Sequence, residues 1–289
     1  MEISISGNKT EFFCIIGMPA KHSLSPAIHN AAFKALGIDA VFLAFDVDKQ
    51  GLKGAIESMR VLGIKGMTLT SPHKEEALKY IDRIDKTAER IGAVNTLINS
   101  DGVITGFHTD GLGFISALRE RTSLDNKSFT VIGAGGAARA FAYELFASVK
   151  SPKLAIVNRH AGIEHAYSLA SGLKKAFGVN AGVFELDGQD VAEVIAHTDI
   201  LINATTVTLE NSTDTPIDGK LLRKGMIVFD ANYAPLENKL IRDAQEAGCI
   251  AITGDALLLH QGIFAFKLFT GRDAPIDAMK DALMKELKK

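Results

Sequence analysis

The sequence has only two cysteines, Cys14 and Cys249, far apart and without CxxC or Cys/His spacing. That excludes a disulfide framework and argues against a zinc site, so a reduced, cytoplasmic setting is the expectation. No charge of one sign dominates: 32 Lys and Arg against 34 Asp and Glu leave a formal net charge of −2. A polybasic nucleic-acid footprint and an acidic solvating tail are both excluded, and no nucleic-acid partner is expected. No uninterrupted apolar run reaches about 18 residues, and the first residues lack a basic stretch followed by an apolar one. Neither a membrane span nor a signal peptide is therefore expected. Internal repeats and low-complexity tracts are missing too. With 47% hydrophobic residues the chain is too apolar to be disordered. Its 289 residues, at about 150 per domain, give a prior of two domains.

Glycine, by contrast, is plentiful, with 26 copies that cluster. Around them, short β-branched or aromatic runs alternate with stretches of helical period, the pattern of βαβ units and mostly parallel sheet. In the first third, strands are predicted over 12–16, 41–45, 66–70 and 95–98, and helices over 25–36, 51–62 and 74–81. A second series, 129–132, 154–157, 200–203, 227–230 and 250–252, reads as continuous apolar strands buried on both faces. Residues 111–121 form a helical, one-sided polar stretch, which places a boundary near 111. The tail from 257 is helical in pattern, with no strand left to pair.

The first strand of the second series runs into Gly133-Ala134-Gly135-Gly136-Ala137-Ala138, a GxGxxA turn followed by a helix-forming run over 139–146. Glycines permit the tight turn and close backbone approach, and the helix N-terminus offers free N–H groups and a positive dipole end to a pyrophosphate. A glycine-rich βα turn without ligand is the bland alternative. The next strand ends at Asn158-Arg159-His160, where an NAD-binding chain would carry Asp or Glu for the ribose 2′-hydroxyl. A guanidinium there forks onto a 2′-phosphate, which favours NADP over NAD, with NAD kept open. The bland alternative for Arg159 is a solvated loop cation.

Four polar clusters of the first third are expected at the carboxyl ends of strands, where ligands bind in open α/β sheets. The first cluster, residues 17–26, includes Ser23 and Ser25, whose hydroxyls suit a carboxylate; Ser25 could equally just cap its helix ahead of Pro26. Ser71-Pro72-His73-Lys74 puts a lysine in a predicted first helical turn, where the dipole disfavours it. Proton transfer to a developing alkoxide would justify that placement, and a solvated helix lysine is the alternative. Asn95, and Asp110 at the proposed boundary, add an amide and a carboxylate. His22, His29, His73 and His108 fit no ligand spacing, so no metal is expected.

Nine ordered segments, HSLSP followed by His29-Asn30, TLTSPHK, GAVNT, GFHTDGLG, GAGGAA, NRH, NAT, DANYAP and LLLHQG, resemble the shikimate dehydrogenase family over essentially the whole chain. The resemblance implies an α/β fold of two domains: a substrate domain over 1–111 plus 256–289, a Rossmann domain over 112–255, and an interdomain cleft. It implies reversible reduction of 3-dehydroshikimate to shikimate with NADPH, by a monomer or homodimer acting on a small molecule. Lys74 and Asp110 would be the catalytic pair. Ser23 and Ser25 would hold the substrate carboxylate, Thr70, Asn95, Asp110 and Gln261 its ring hydroxyls, and Tyr233 would reach the carboxylate side. Gly133, Ala134, Gly135, Gly136, Ala137, Asn158, Arg159, His160, Thr205 and Gly254 would contact the cofactor. This chain carries Thr68 and His108 where the family usually has Asn, Thr208 where it has Gly, and Asn238 where it has Thr. Rival readings are a quinate-type relative and a non-catalytic nicotinamide-binding protein.

Overall fold

Apolar runs fold as strands and their amphipathic neighbours as helices. The computed structural model describes residues 6–210 and 213–288. In chain order it begins with β1 (Glu11–Gly17), α1 (Ser25–Ala35), β2 (Ala40–Asp46), α2 (Leu52–Val61), β3 (Gly66–Leu69), β4 (Arg83–Ile84) and α3 (Lys86–Ile91). β5 (Thr96–Ser100), β6 (Val103–Phe107) and α4 (Asp110–Arg119) follow. The second series comprises β7 (Ser128–Ile132), α5 (Gly136–Ser148), β8 (Lys153–Asn158), α6 (Ile163–Phe177), β9 (Gly182–Glu185) and α7 (Val191–Ala196). It continues with β10 (Ile200–Asn203), α8 (Val207–Glu210), β11 (Ile227–Asp230), α9 (Lys239–Glu246) and β12 (Ile250–Ile252), ahead of α10 (Gly254–Thr270) and α11 (Ile276–Leu287). By contacts the chain divides into two units: residues up to Gly113 together with Leu259 onward, and Phe114–Leu258.

The first unit holds a six-stranded sheet of order β2-β1-β3-β5-β6-β4. It is mixed but mostly parallel, as expected, with one exception: β5 runs antiparallel to both β3 and β6. A short turn after Ser100 allows the β5–β6 hairpin, whereas parallel strands need a long crossover. The helix predicted over 74–81 is corrected. Lys74 lies in a turn, only Glu76–Lys79 winds as a single 3₁₀ turn, and the chain then pairs as β4 with β6. The bonds flanking β4, Asp82 N–H to Ile104 O and Asp85 N–H to Gly106 O, each 2.9 Å, commit this backbone to an edge strand.

The second unit has an all-parallel sheet of order β12-β11-β10-β7-β8-β9, a doubly wound arrangement that reverses between β7 and β10. β10 and β11 are buried along their whole length, as the continuous apolar runs demand.

The α1 face of the first sheet contains a histidine with no polar partner. Pro26 opens α1, and Ile28, His29, Ala32 and Phe33 fall on its buried stripe. His29 is fully buried and stacks on Phe42 with centroids 4.5 Å apart, alongside Phe266 and Phe269. Among the described residues neither of its ring nitrogens has a hydrogen-bond partner. Burial holds its pKa down at about 3, so the folded state keeps the ring neutral. The unfolded chain takes up this proton below about pH 6.5, so stability is present at neutral pH and falls as the pH drops towards 3. Through this residue the loss is about 1.4 kcal/mol per pH unit within that window. In urea titrations between neutral and acid pH, His29→Phe is expected to remove that slope and raise stability; an unchanged slope would show that the ring is not kept neutral by burial.

Candidate functional site

At one edge of the first sheet, strand direction brings distant polar residues together. Thr68 pairs with Thr96 and Thr96 with Phe107, so the start of antiparallel β5 lies level with the ends of β3 and β6. Asn95 is thus at the amino end of its strand and still on the edge where β3 leads to Lys74 and β6 to Asp110. The expectation that all four clusters follow carboxyl ends is corrected on this point. Backbone bonds fix the edge: Leu69 N–H to Asn95 O at 2.8 Å, Val94 N–H to Lys74 O at 2.8 Å and Asn95 N–H to Phe107 O at 2.9 Å.

Lys74 Nζ donates to Asp110 Oδ2 at 2.6 Å, and Asn95 Nδ2 donates to Asp110 Oδ1 at 2.8 Å. Asn95 Oδ1 in turn accepts from the Thr109 N–H at 2.8 Å, so one buried amide sets the start of α4. Burial works against ionisation of Asp110. The charges of Lys74 and His108 and the hydrogen bonds from Lys74 and Asn95 outweigh it and hold the carboxyl below its ordinary range. The lysine therefore does not sit against a helix dipole; its partner is the carboxylate, and the side chain remains 31% exposed, within reach of a ligand.

Ser25 is buried, but it is not the cap of α1: that position is Leu24, with no side-chain cap. Ser23 Oγ donates to Ser25 Oγ at 3.1 Å and accepts the Ser25 N–H at 3.2 Å, which clusters two hydroxyls at a helix start. Thr70 follows β3, with its N–H on Ile16 O at 3.0 Å, and Gln261 lies half-buried on α10 in the same unit. Thr68 is buried without a partner for its hydroxyl among the described residues. The four histidines have separate environments. His22 is exposed, His29 is stacked among phenylalanines, His73 donates from Nε2 to Val47 O at 2.7 Å, and His108 lies near Asp110. Among the described residues no group of three or more His, Cys, Asp or Glu could hold a metal ion.

In the second unit, Gly133 adopts φ +103°, a region open to glycine, and a Cβ there would lie 3.0 Å from Ala204 O. The turn delivers the chain to Gly135, which precedes α5 without any side-chain cap, so the first amides of a 13-residue helix remain open to an anion. Beside it is a cavity of about 300 Å³ lined by Gly133, Ala134, Gly135, Asn158, Arg159 and Thr205, with His165 and Val207 as further walls. Asn158 Nδ2 donates to Gly162 O at 2.7 Å and shapes the loop, while the Arg159 guanidinium has no ion-pair partner among the described residues. Gly136, Ala137, His160 and Gly254 do not line this cavity. Gly136 and Ala137 belong to α5, and His160 turns to Glu185 at 3.1 Å. Gly254 packs on β11's continuation, where a Cβ would meet Ala231 O at 2.5 Å. A larger cavity of about 450 Å³ opens near Ser128 and Lys153, at the amino ends of β7 and β8. Ligands of doubly wound sheets sit at carboxyl ends, so the smaller cavity is the relevant one.

The family profile described as "Shikimate dehydrogenase substrate binding domain" matches residues 15–97, "Shikimate / quinate 5-dehydrogenase" matches 116–230, and "Shikimate 5'-dehydrogenase C-terminal domain" matches 257–284. Shikimate dehydrogenase (NADP(+)) of Methanopyrus kandleri is 41% identical over 293 residues, covering 100% of both chains. The chain belongs to the shikimate dehydrogenase family. A crystal structure of a shikimate dehydrogenase in complex with NADP+ superposes with a TM-score of 0.90 at 38% identity, covering 99% of this chain and 98% of that one. The shikimate 5-dehydrogenase of Listeria monocytogenes, in complex with shikimate and NAD, gives 0.90 at 34% identity, covering 97% and 98%. Among the described residues no helix is long and apolar enough to cross a membrane.

Sequence reasoning missed Thr109. Thr109 had a signal, since it stands between His108 and Asp110, but its bond to Asn95 is a tertiary one. In this member of the shikimate dehydrogenase family, Asn95→Ala is expected to lower unfolding free energy by about 1–3 kcal/mol, because Thr109 N–H loses its acceptor in a buried setting. Denaturant titration checks this; a loss below about 0.5 kcal/mol, the range of featureless surface changes, would refute the clamp.

Proposed function

We propose that this chain catalyses the reversible NADP-linked reduction of 3-dehydroshikimate to shikimate, a step towards aromatic amino acids. The observation that carries this reading is the Lys74–Asp110 contact at 2.6 Å, braced by Asn95, in a chain with full-length relatives named for that activity. A carbonyl becoming an alcohol needs one hydride and one proton. The bound nicotinamide nucleotide supplies the hydride in this direction and accepts it in the other. Lys74 donates the proton to the developing alkoxide from Nζ, or stabilises its charge, and takes the proton back in reverse. Asp110, held ionised at neutral pH by its neighbours, aims the ammonium; it accepts hydrogen bonds at both oxygens and so has no proton of its own to give.

Ser23 and Ser25 are the proposed carboxylate ligands, because their clustered hydroxyls stand at the start of α1, the positive end of its dipole. Thr70, Asn95 and Gln261 complete the proposed ring-hydroxyl contacts, and Tyr233 is assigned to the carboxylate side. Burial raises the Tyr233 phenol, which keeps it a neutral donor. On the cofactor side, the glycine turn, the uncapped start of α5 and the unpaired Arg159 fit a phosphorylated dinucleotide. Gly133, Ala134, Gly135, Asn158, Arg159 and Thr205 would hold it. A bond from Arg159 to a 2′-phosphate, at about 1.5–3 kcal/mol for a charged hydrogen bond, favours NADP over NAD.

Nicotinamide absorbance during oxidation of shikimate, with NADP+ and NAD+ in turn, tests the assignment; quinate and a no-substrate control separate the relatives from a mere binding protein. Lys74→Ala is expected to lower kcat by about 10²–10⁴-fold with a modest change in KM, and near-complete turnover in this variant would end the assignment. Arg159→Ala is expected to reduce NADP+ over NAD+ discrimination by about tenfold or more. An unchanged ratio would leave the arginine as a solvated cation.

A further inference from the structure

The carboxyl ends of β10 and β11 enclose a second acidic group that the proposed reaction does not use. Asp230 is fully buried, and among the described residues it forms no ion pair. Five contacts from neutral donors reach it instead. Oδ1 accepts from Asn203 Nδ2 at 3.0 Å, from the Asn232 N–H at 3.0 Å and from Asn232 Nδ2 at 3.1 Å. Oδ2 accepts from Thr208 Oγ1 at 2.8 Å and from Asn238 Nδ2 at 2.7 Å. Every partner donates, as an acceptor-only carboxylate requires.

The hydrogen bonds close into a ring that passes through the cavity wall. Thr208 Oγ1 donates its one proton to Asp230 and accepts from Asn232 Nδ2 at 2.7 Å and Asn203 Nδ2 at 3.3 Å, so its proton and both lone pairs are engaged. Asn232 Nδ2 also donates to Thr205 O at 2.8 Å. Asn203 Oδ1 accepts from both the N–H and the hydroxyl of Thr205, at 3.0 and 2.6 Å. Thr205 and Val207 line the cavity beside the glycine turn. Asn238 ties the ring to α9, since its Oδ1 accepts the Ile241 N–H at 3.2 Å as the N-cap of that helix.

We propose that Thr208 and Asn238 are positioning residues that preform the dinucleotide cavity: by filling Oδ2 of Asp230 they lock the Thr205–Val207 wall in its binding geometry. Neither has to touch the ligand. A wall held in place before binding avoids the ordering cost that a loose segment would meet on association, so the benefit is in dinucleotide affinity. Both side chains are fully buried, and their polar atoms have no solvent to turn to if the ring opens.

This inference rests on the dinucleotide-binding part of the proposed function and not on the identity of the substrate. The test measures NADP+ binding by calorimetry, thermal melting, and steady-state KM for shikimate in the wild type, Thr208→Val, Thr208→Ser and Asn238→Ser. Valine keeps the volume and removes the hydroxyl; serine at 208 restores it, and serine at 238 still caps α9 while removing the amide donor. Thr208→Val is expected to weaken NADP+ binding by about tenfold, corresponding to about 1.4 kcal/mol, with KM for shikimate little changed. Thr208→Ser should stay near wild type and Asn238→Ser should lie between them. A Thr208→Val protein that melts lower but binds NADP+ as the wild type does would overturn the proposal, as would a serine variant as weak as valine. Should Thr208→Val not fold, Asn238→Ser decides by the same comparison. A wild type that binds NADP+ without oxidising shikimate would refute the substrate assignment alone, and one that binds no dinucleotide would refute both.

Discussion

A carboxylate at the end of a buried strand must be matched by donors, because an unpaired buried polar group costs about 1–3 kcal/mol and a charged one more. Both units meet this constraint with an asparagine amide: Asn95 Nδ2 to Asp110 Oδ1 at 2.8 Å, and Asn203 Nδ2 to Asp230 Oδ1 at 3.0 Å. They differ in what the second oxygen receives. Asp110 Oδ2 faces the Lys74 ammonium and its side chain keeps 14% exposure, whereas Asp230 Oδ2 faces a hydroxyl and an amide and has no exposure. An ammonium near solvent can exchange a proton with a ligand. Fixed neutral donors can only maintain geometry, so one carboxylate suits chemistry and the other support.

Much of the fold was legible because its strands are buried on both faces. Residues 200–203 and 227–230 were read with the bounds the structure has, since a continuous apolar run in a parallel sheet leaves little ambiguity; 250–252 also has the right bounds, but as the edge strand β12 it is not buried on both faces, and Ile250 is exposed. The short edge strands β9 and β4 gave no such signal. β9, GVFE, is only partly buried and interrupted by neither a long apolar run nor a turn motif, and β4 has two exposed residues. The helix α3 escaped although its limits were written locally: Asp85 accepts the Thr87 N–H as N-cap, and Gly92 ends the helix at φ 72°. Residues 74–81 misled because apolar spacing suits a helix, while the pairing of β4 with β6 is a tertiary matter.

The candidate site was partly legible for a related reason. Lys74, Asp110 and Asn95 were each conspicuous, as polar residues next to apolar strands, but the sequence separates them and only the antiparallel β5 brings Asn95 between the other two. Asn203 and Asp230 close apolar strands in the same manner and were passed over as strand ends. Thr208 and Asn238 were visible only as departures from the family's usual residues. What joins them is one carboxylate oxygen, and no spacing along the chain encodes that.

On the cofactor side, the fold also decides which cation is left free. Asn158 pairs in register with Glu185, so a carboxylate stands beside the point where the chain leaves β8 and Arg159 emerges. Had the guanidinium taken that carboxylate, its planar fork would be occupied and its attraction for a phosphate largely cancelled. His160 Nδ1 instead lies 3.1 Å from Glu185 Oε1. On the proposed reading, the histidine's contribution is indirect: it keeps an acidic neighbour engaged, well exposed and weakly bound though the pair is. Arg159 then faces the cavity with its donors uncommitted, and a doubly charged 2′-phosphate can displace water alone rather than an existing ion pair.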